Sequence, residues 1–197
     1  MKFFLIICVV IWLYLLSVFR RNKMNFWYFI FGSVGFFVFM LIWLEPVLVG
    51  PLTKGVAVIA GFLGRVTGIF QSYFQYGILI VNSKDYSISL LIDYECSGII
   101  EIMAFTAMLW FYSVYNFYEK IIINVFGFMW IFMSNVLRIF VIYLLIYYFG
   151  NNIFYFAHTI FGRLIFYVLS IFLYYQVFTR AQVLRQKIGS FRYEEDN

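Results

Sequence analysis

Cys96 stands in the run Glu95-Cys96-Ser97-Gly98, where polar residues hand over to a long apolar stretch. At such a strand-to-helix junction, free backbone N–H groups and the helix dipole favour the thiolate, the nucleophilic form of cysteine. Ser97 is suited to cap the helix, and Gly98 leaves its start open to a close-lying backbone. Arg138 lies inside another apolar stretch, with Asn135 three residues earlier on the same helix face. A charge there costs about 2.5–3.5 kcal/mol on insertion scales, which makes it a functional candidate by default. His158 is the sole histidine. Glu101 follows Cys96 by about one helical turn; it can pair with Arg138, orient His158 or reach the outer interface. A thiol, a base and a fixed cation are the minimum equipment for cysteine acyl transfer. Blander roles stand beside these: Arg138 as a snorkelling anchor, His158 as a structural group, Cys96 as a small buried hydrophobe. For Cys8, in the middle of the first apolar run, packing is the expected role. The two cysteines form no CxxC and no zinc spacing, so no metal and no cofactor is expected.

The elements that must position these residues are membrane helices. The chain has 197 residues, 65% hydrophobic and 12% charged, with mean hydropathy +0.93. Soluble domains have about 45–50% apolar residues, so the solvent for this excess is lipid. A span needs roughly 20 apolar residues. The candidates are Phe3–Phe19, Phe26–Leu44, Gly98–Phe117, Ile121–Phe149 and His158–Phe178. Val47–Tyr76 is apolar but interrupted by Pro51, Lys54, Gly55, Gly61, Gly64, Arg65 and Gly68. It reads as helix lying in or re-entering the outer interface. Gly77–Val81 and Tyr86–Ile92 flank the turn-rich Asn82-Ser83-Lys84-Asp85 and read as a β-hairpin leading into Cys96.

Orientation follows from the basic residues. Arg20, Arg21 and Lys23, then Lys120, then Arg180, Arg185, Lys187 and Arg192 share one side in a chain of about five spans, and that side is the cytoplasm. Residues 45–97 are then extracytoplasmic and 179–197 form a cytoplasmic tail. Without a small-residue cleavage site before Arg20, the first run is expected to stay as a helix rather than serve as a signal peptide. The expectation is one domain over residues 1–197: an all-α polytopic membrane helical bundle with an outer interfacial helix and a small β-hairpin before the cysteine. Cys96, Arg138 and His158 arrive from separate runs at one depth near the outer face. The net charge of +5 forms no basic stripe, so lipid rather than nucleic acid is the expected surroundings.

Glu95-Cys96-Ser97-Gly98-Ile99 resembles the E/A-C-S/T-G-I/L signature of the exosortase/archaeosortase family, and Asn135-Val136-Leu137-Arg138-Ile139 resembles its N-x-x-R-[IL] motif. His158, at the start of the next helix, matches the third motif. The resemblance covers residues 77–178 and is strongest to the small Gram-positive G-type branch; many members carry a polar or basic residue shortly after the cysteine motif, where this chain has Ile99-Ile100-Glu101, a departure that bears on substrate recognition more than on chemistry. The resemblance implies a cysteine peptidase and transpeptidase of the bacterial plasma membrane. Its substrates would be surface proteins with a short C-terminal motif, a transmembrane helix and a basic tail. Cys96 would be the nucleophile, His158 the general base and acid, and Arg138 the oxyanion or thiolate stabiliser, with Glu95, Ser97, Gly98, Glu101 and Asn135 in support. The rival expectation is a non-catalytic accessory of polysaccharide or protein export. A transporter fits poorly, because the polar groups gather near one face rather than at a midplane break.

Overall fold

The computed structural model describes residues 2–68, 70–73, 78–82, 87–91, 97–150 and 153–183. Its elements are α1 (Lys2–Arg21), α2 (Asn25–Trp43), α3 (Glu45–Thr67), β1 (Phe70–Tyr73), β2 (Ile78–Asn82), β3 (Ser87–Leu91), α4 (Ile99–Phe111), α5 (Phe117–Phe149) and α6 (Gly162–Tyr174). Two π-helical segments, Phe156–Phe161 and Tyr175–Arg180, flank α6. The architecture is a polytopic helical bundle carrying one small antiparallel sheet.

Four helical stretches are long and apolar enough to cross a membrane: Asn25–Trp43, Glu45–Thr67, Phe117–Phe149 and Phe156–Val183. Large apolar side chains such as Ile122, Val66 and Ile171 lie exposed along the bundle. Only lipid makes such a surface stable, so the protein is a membrane protein.

Aromatic contacts set the order of the helices. α4 runs antiparallel to α2: the Phe29 and Tyr112 rings lie 6.2 Å apart at one end, and Met40 shares a core with Ile99 and Met103 at the other. α4 also runs antiparallel to α5, where Thr106 Oγ1 donates to Asn124 Oδ1 at 3.4 Å. α6 returns along α5, with Trp130 Nε1 donating to the Leu169 carbonyl at 3.0 Å. At one end the Tyr112 hydroxyl donates to the Phe178 carbonyl (2.8 Å) and the Tyr115 hydroxyl to that of Val177 (2.5 Å). These bonds bring Lys120 and Arg180 to one end, and the Phe29–Tyr112 contact sets the α1–α2 turn with Arg20, Arg21 and Lys23 at the same basic end.

Between α4 and α5 the chain differs from the sequence expectation. The apolar run was expected to stay helical from Gly98 to Phe117, yet α4 stops at Phe111 and α5 begins at Phe117. The cause is a capping box: Asn116 accepts from the N–H of Glu119, and the Glu119 carboxylate accepts from the N–H of Asn116 at 2.8 Å.

Val47–Tyr76 differs as well. It was expected as helix despite Pro51 and its glycines; α3 is helical and unbroken through Pro51 but ends at Thr67, before the strand β1. Loss of one N–H costs the helix a single bond. The buried stripe Val56, Ala57 and Ala60 packs on Val136, Ile139 and Tyr143 of α5 and holds the rest. α3 does not turn back from α2. Leu44 keeps right-handed helical dihedrals, its N–H reaches the Met40 carbonyl, and its carbonyl takes the Leu48 N–H. α3 therefore continues α2 onward past the level of Ile99 and along the second half of α5.

The hairpin has the expected strands, β2 and β3, paired from Ile78↔Leu91 to Asn82↔Ser87. A further strand, β1, pairs with β2 from Phe70↔Val81 to Tyr73↔Ile78 and lies beside α3. Sequence reading had assigned Phe70–Tyr73 to the interfacial helix; the left-handed Gly68 (φ 71) closes α3 before it.

Candidate functional site

Glu95 and Cys96 fall outside the described residues, so the junction is seen from Ser97 onward. Ser97 is fully buried, and its Oγ accepts from the N–H of Ile99 at 3.4 Å. The N-cap position itself belongs to Gly98, which is left-handed (φ 72, ψ 11) and carries no side-chain cap. Ser97 thus serves one of the first free N–H groups of α4 from a position before the cap, a modest version of the expected role.

Gly98 faces Asn135. A Cβ placed on Gly98 would sit 3.5 Å from Asn135 Nδ2. Asn135 has no exposed surface and Arg138 retains 4% of its own. The polar residues expected on one face of α5 therefore both point inward, at the level where α4 begins. Side chains on a helix lean toward its N-terminus. In the antiparallel pair α4 and α5, Glu101 leans toward Gly98 and Arg138 leans toward Asn135, so the two converge.

Arg138 acts electrostatically on the Glu101 carboxylate, and that carboxylate acts in turn on the Tyr174 hydroxyl. Glu101 is half-buried, with Arg138 within electrostatic reach of its carboxylate. The guanidinium carbon of Arg138 stands 6.0 Å from the centre of the Phe166 ring, within reach of a cation–π attraction. Phe166 is 1% exposed and stands as a fixed platform.

His158 does not open a helix. Helical structure starts before it, and the residue lies within the π-helical segment Phe156–Phe161. Its ring stacks on Phe154 at 5.7 Å and 25°. The neighbouring Ala157 is buried against Ile142 and Ile146, which places His158 one to two turns beyond Arg138 along α5, away from the basic end. π-Helical turns often accompany working sites because they shift side-chain register within a helix. Ser97, Asn135, Arg138 and His158 are all engaged by neighbouring groups. Cys8 lies apart on α1 as a free, exposed thiol, not as the buried filler expected of it.

Two aromatic supports escaped the sequence reading. Phe154 and His158 have the i, i+4 spacing of a helical pair, a signal that was present. Phe166 and Arg138 meet only through packing of α6 on α5, and no local pattern announces that.

The arrangement joins the residues that follow a cysteine to a buried guanidinium, a carboxylate and, further out, an imidazole. A family model described as transmembrane exosortase matches residues 1–175. No curated protein and no solved structure matches the chain.

Proposed function

The chain belongs to the transmembrane exosortase family, and from that premise we propose that it is a membrane cysteine peptidase and transpeptidase that processes the C-terminal sorting signals of surface proteins. The observation that carries this reading is the approach of Gly98 to Asn135. It draws the cysteine motif and the Asn135–Arg138 motif together at one level, although α5 could have faced α4 in many other ways.

In this reading Cys96 Sγ, as thiolate, attacks the carbonyl carbon of the scissile amide. The oxyanion that forms is stabilised by Arg138. His158 gives a proton to the departing amine, the C–N bond breaks, and a thioester remains. An incoming amine or water then attacks the thioester, passes a proton to His158 and releases Cys96. Phe166 and Glu101 hold Arg138 in place, and Phe154 orients His158.

The far end of the bundle faces the outside of a bacterial plasma membrane. Exposed Tyr118 near the basic end and exposed Tyr148 near the other are separated by roughly thirty residues of α5, about 45 Å at 1.5 Å per residue. A bilayer with its headgroups is about 40–45 Å thick, and tyrosines favour both interfaces. Arg138 then lies about 15 Å below the outer belt, measured along the helix.

The test is comparative surface proteomics of cells carrying the parent or Cys96→Ala. Proteins ending in a transmembrane helix and basic tail should accumulate unprocessed in the variant. An unchanged surface proteome, with the variant inserted at parental level, would replace the enzyme with a non-catalytic accessory of export.

A further inference from the structure

A groove of about 740 Å³ opens on the flank of the bundle at its basic end, between α2, α4 and the π-helical end of α6. Its composition changes along its length. Toward the bundle centre it is lined by Met108 and Ile171; toward the basic end the apolar Phe29, Phe178 and Val183 continue the wall, and Tyr112, Thr179 and Gln182 add the polar groups. The Tyr112 hydroxyl, which donates to the Phe178 carbonyl, also lies 3.4 Å from Gln182 Oε1 at the polar mouth. Arg180 adjoins Thr179, is exposed, and donates to Gln176 Oε1 at 3.1 Å.

We propose that this groove is a binding site for one anionic phospholipid of the leaflet at the basic end, with an acyl chain along Met108 and Ile171 and the headgroup at Thr179 and Gln182, where exposed Arg180 stands beside the lining and adds positive charge. The polarity gradient is that of a lipid standing upright in its own leaflet. Charge selects the headgroup: Arg20, Arg21, Lys23, Lys120 and Arg180 gather at this end, against Glu119 among the described acids there. Basic pockets of this kind, between membrane helices on the positive side, suit anionic headgroups. The lipid would also close the flank between α2 and α6, where no helix of the described chain stands.

The full chain, purified and placed in nanodiscs of phosphatidylcholine with or without phosphatidylglycerol, is the sample for the test. Native mass spectrometry after release should show one retained phosphatidylglycerol in preference to phosphatidylcholine. Arg180→Gln, a change at an exposed position, should lower that retention about fivefold, the weight of one basic residue near a charged leaflet. Met108→Trp, which fills the apolar end, should lower retention of both lipids. Thermal unfolding should shift upward with phosphatidylglycerol and not with soluble glycerol phosphate. Equal retention of the two lipids, unmoved by either variant, overturns the proposal. So does an equal shift with glycerol phosphate, which would reduce the site to an anion contact. Displacement of the lipid by a transmembrane peptide with a basic tail would assign the groove to substrate instead.

Discussion

At the scale of single residues, the site depends on backbone shape as much as on reactive groups. Gly98 is left-handed, a conformation that costs an L-residue about 1–2 kcal/mol. Gly98→Ala should therefore lower the unfolding midpoint in detergent, and Gly98→Asn should lower it less, because asparagine tolerates this region. The cost is backbone strain, since a Cβ would only touch Asn135 at ordinary contact distance. Equal loss for both variants would show that contact with Asn135, not the dihedral, sets the requirement. The groups assigned to the proposed chemistry carry a second expectation. His158→Ala should slow processing about 10²–10⁴-fold, the reach of general acid–base catalysis. Cys96→Ser should abolish it, because a serine hydroxyl lacks thiolate character. Arg138→Lys should remain impaired: lysine keeps the charge but loses the planar fork and its stacking on Phe166. Parental rates for Arg138→Lys, read by the release of processed surface protein, would reduce Arg138 to a point charge.

Among the elements, the crossing of α4 over α5 decides whether the cysteine motif meets Asn135. That crossing rests on Gly127, whose missing side chain leaves room for the fully buried Phe105 ring; a Cβ there would lie 2.1 Å from it. A rigid, buried ring cannot yield by that amount. Gly127→Val should cut folded yield and lower the unfolding midpoint. Adding Phe105→Ala should recover part of both by vacating the space, which size-exclusion profiles and midpoints of the four proteins would reveal. If Phe105→Ala adds its own loss in full, the two residues do not share one space. The π-helical segment before α6 acts at the same scale, since it aims His158 and its Phe154 partner from a helix already under way.

For the whole molecule, the proposed orientation rests on solvation by lipid and on charge at one end. Five basic residues of the described chain gather at the end where Tyr112 and Tyr115 bind the tail of α6, and exposed tyrosines mark the opposite end. In a variant lacking both native cysteines, Tyr148→Cys should react with a membrane-impermeant maleimide on intact cells. Ser113→Cys, in the loop at the basic end, should react only after permeabilisation. The reverse pattern would turn the molecule over and place the site on the cytoplasmic side.

The sequence by itself determined the solvent, the class of fold and the residues worth watching. Lipid was legible because 65% apolar content cannot be hidden in water, and the basic clusters marked one end because charge avoids hydrocarbon. Asn135 and Arg138 were legible as one inward face because helical spacing is local. The hairpin was legible from alternation around a turn. The capping box at Asn116 and Glu119 was also written locally, and the hydrophobic run obscured it. What tertiary structure alone decided were the relations between distant helices. Gly98 meets Asn135, Phe166 underlies Arg138, Glu101 comes within electrostatic reach of Arg138, and α3 carries α2 onward without turning back. Each depends on which side chains interlock across a helix pair. That register is set by volumes such as Phe105 against Gly127, matched between residues far apart in the chain, and no pattern within a single helix records it.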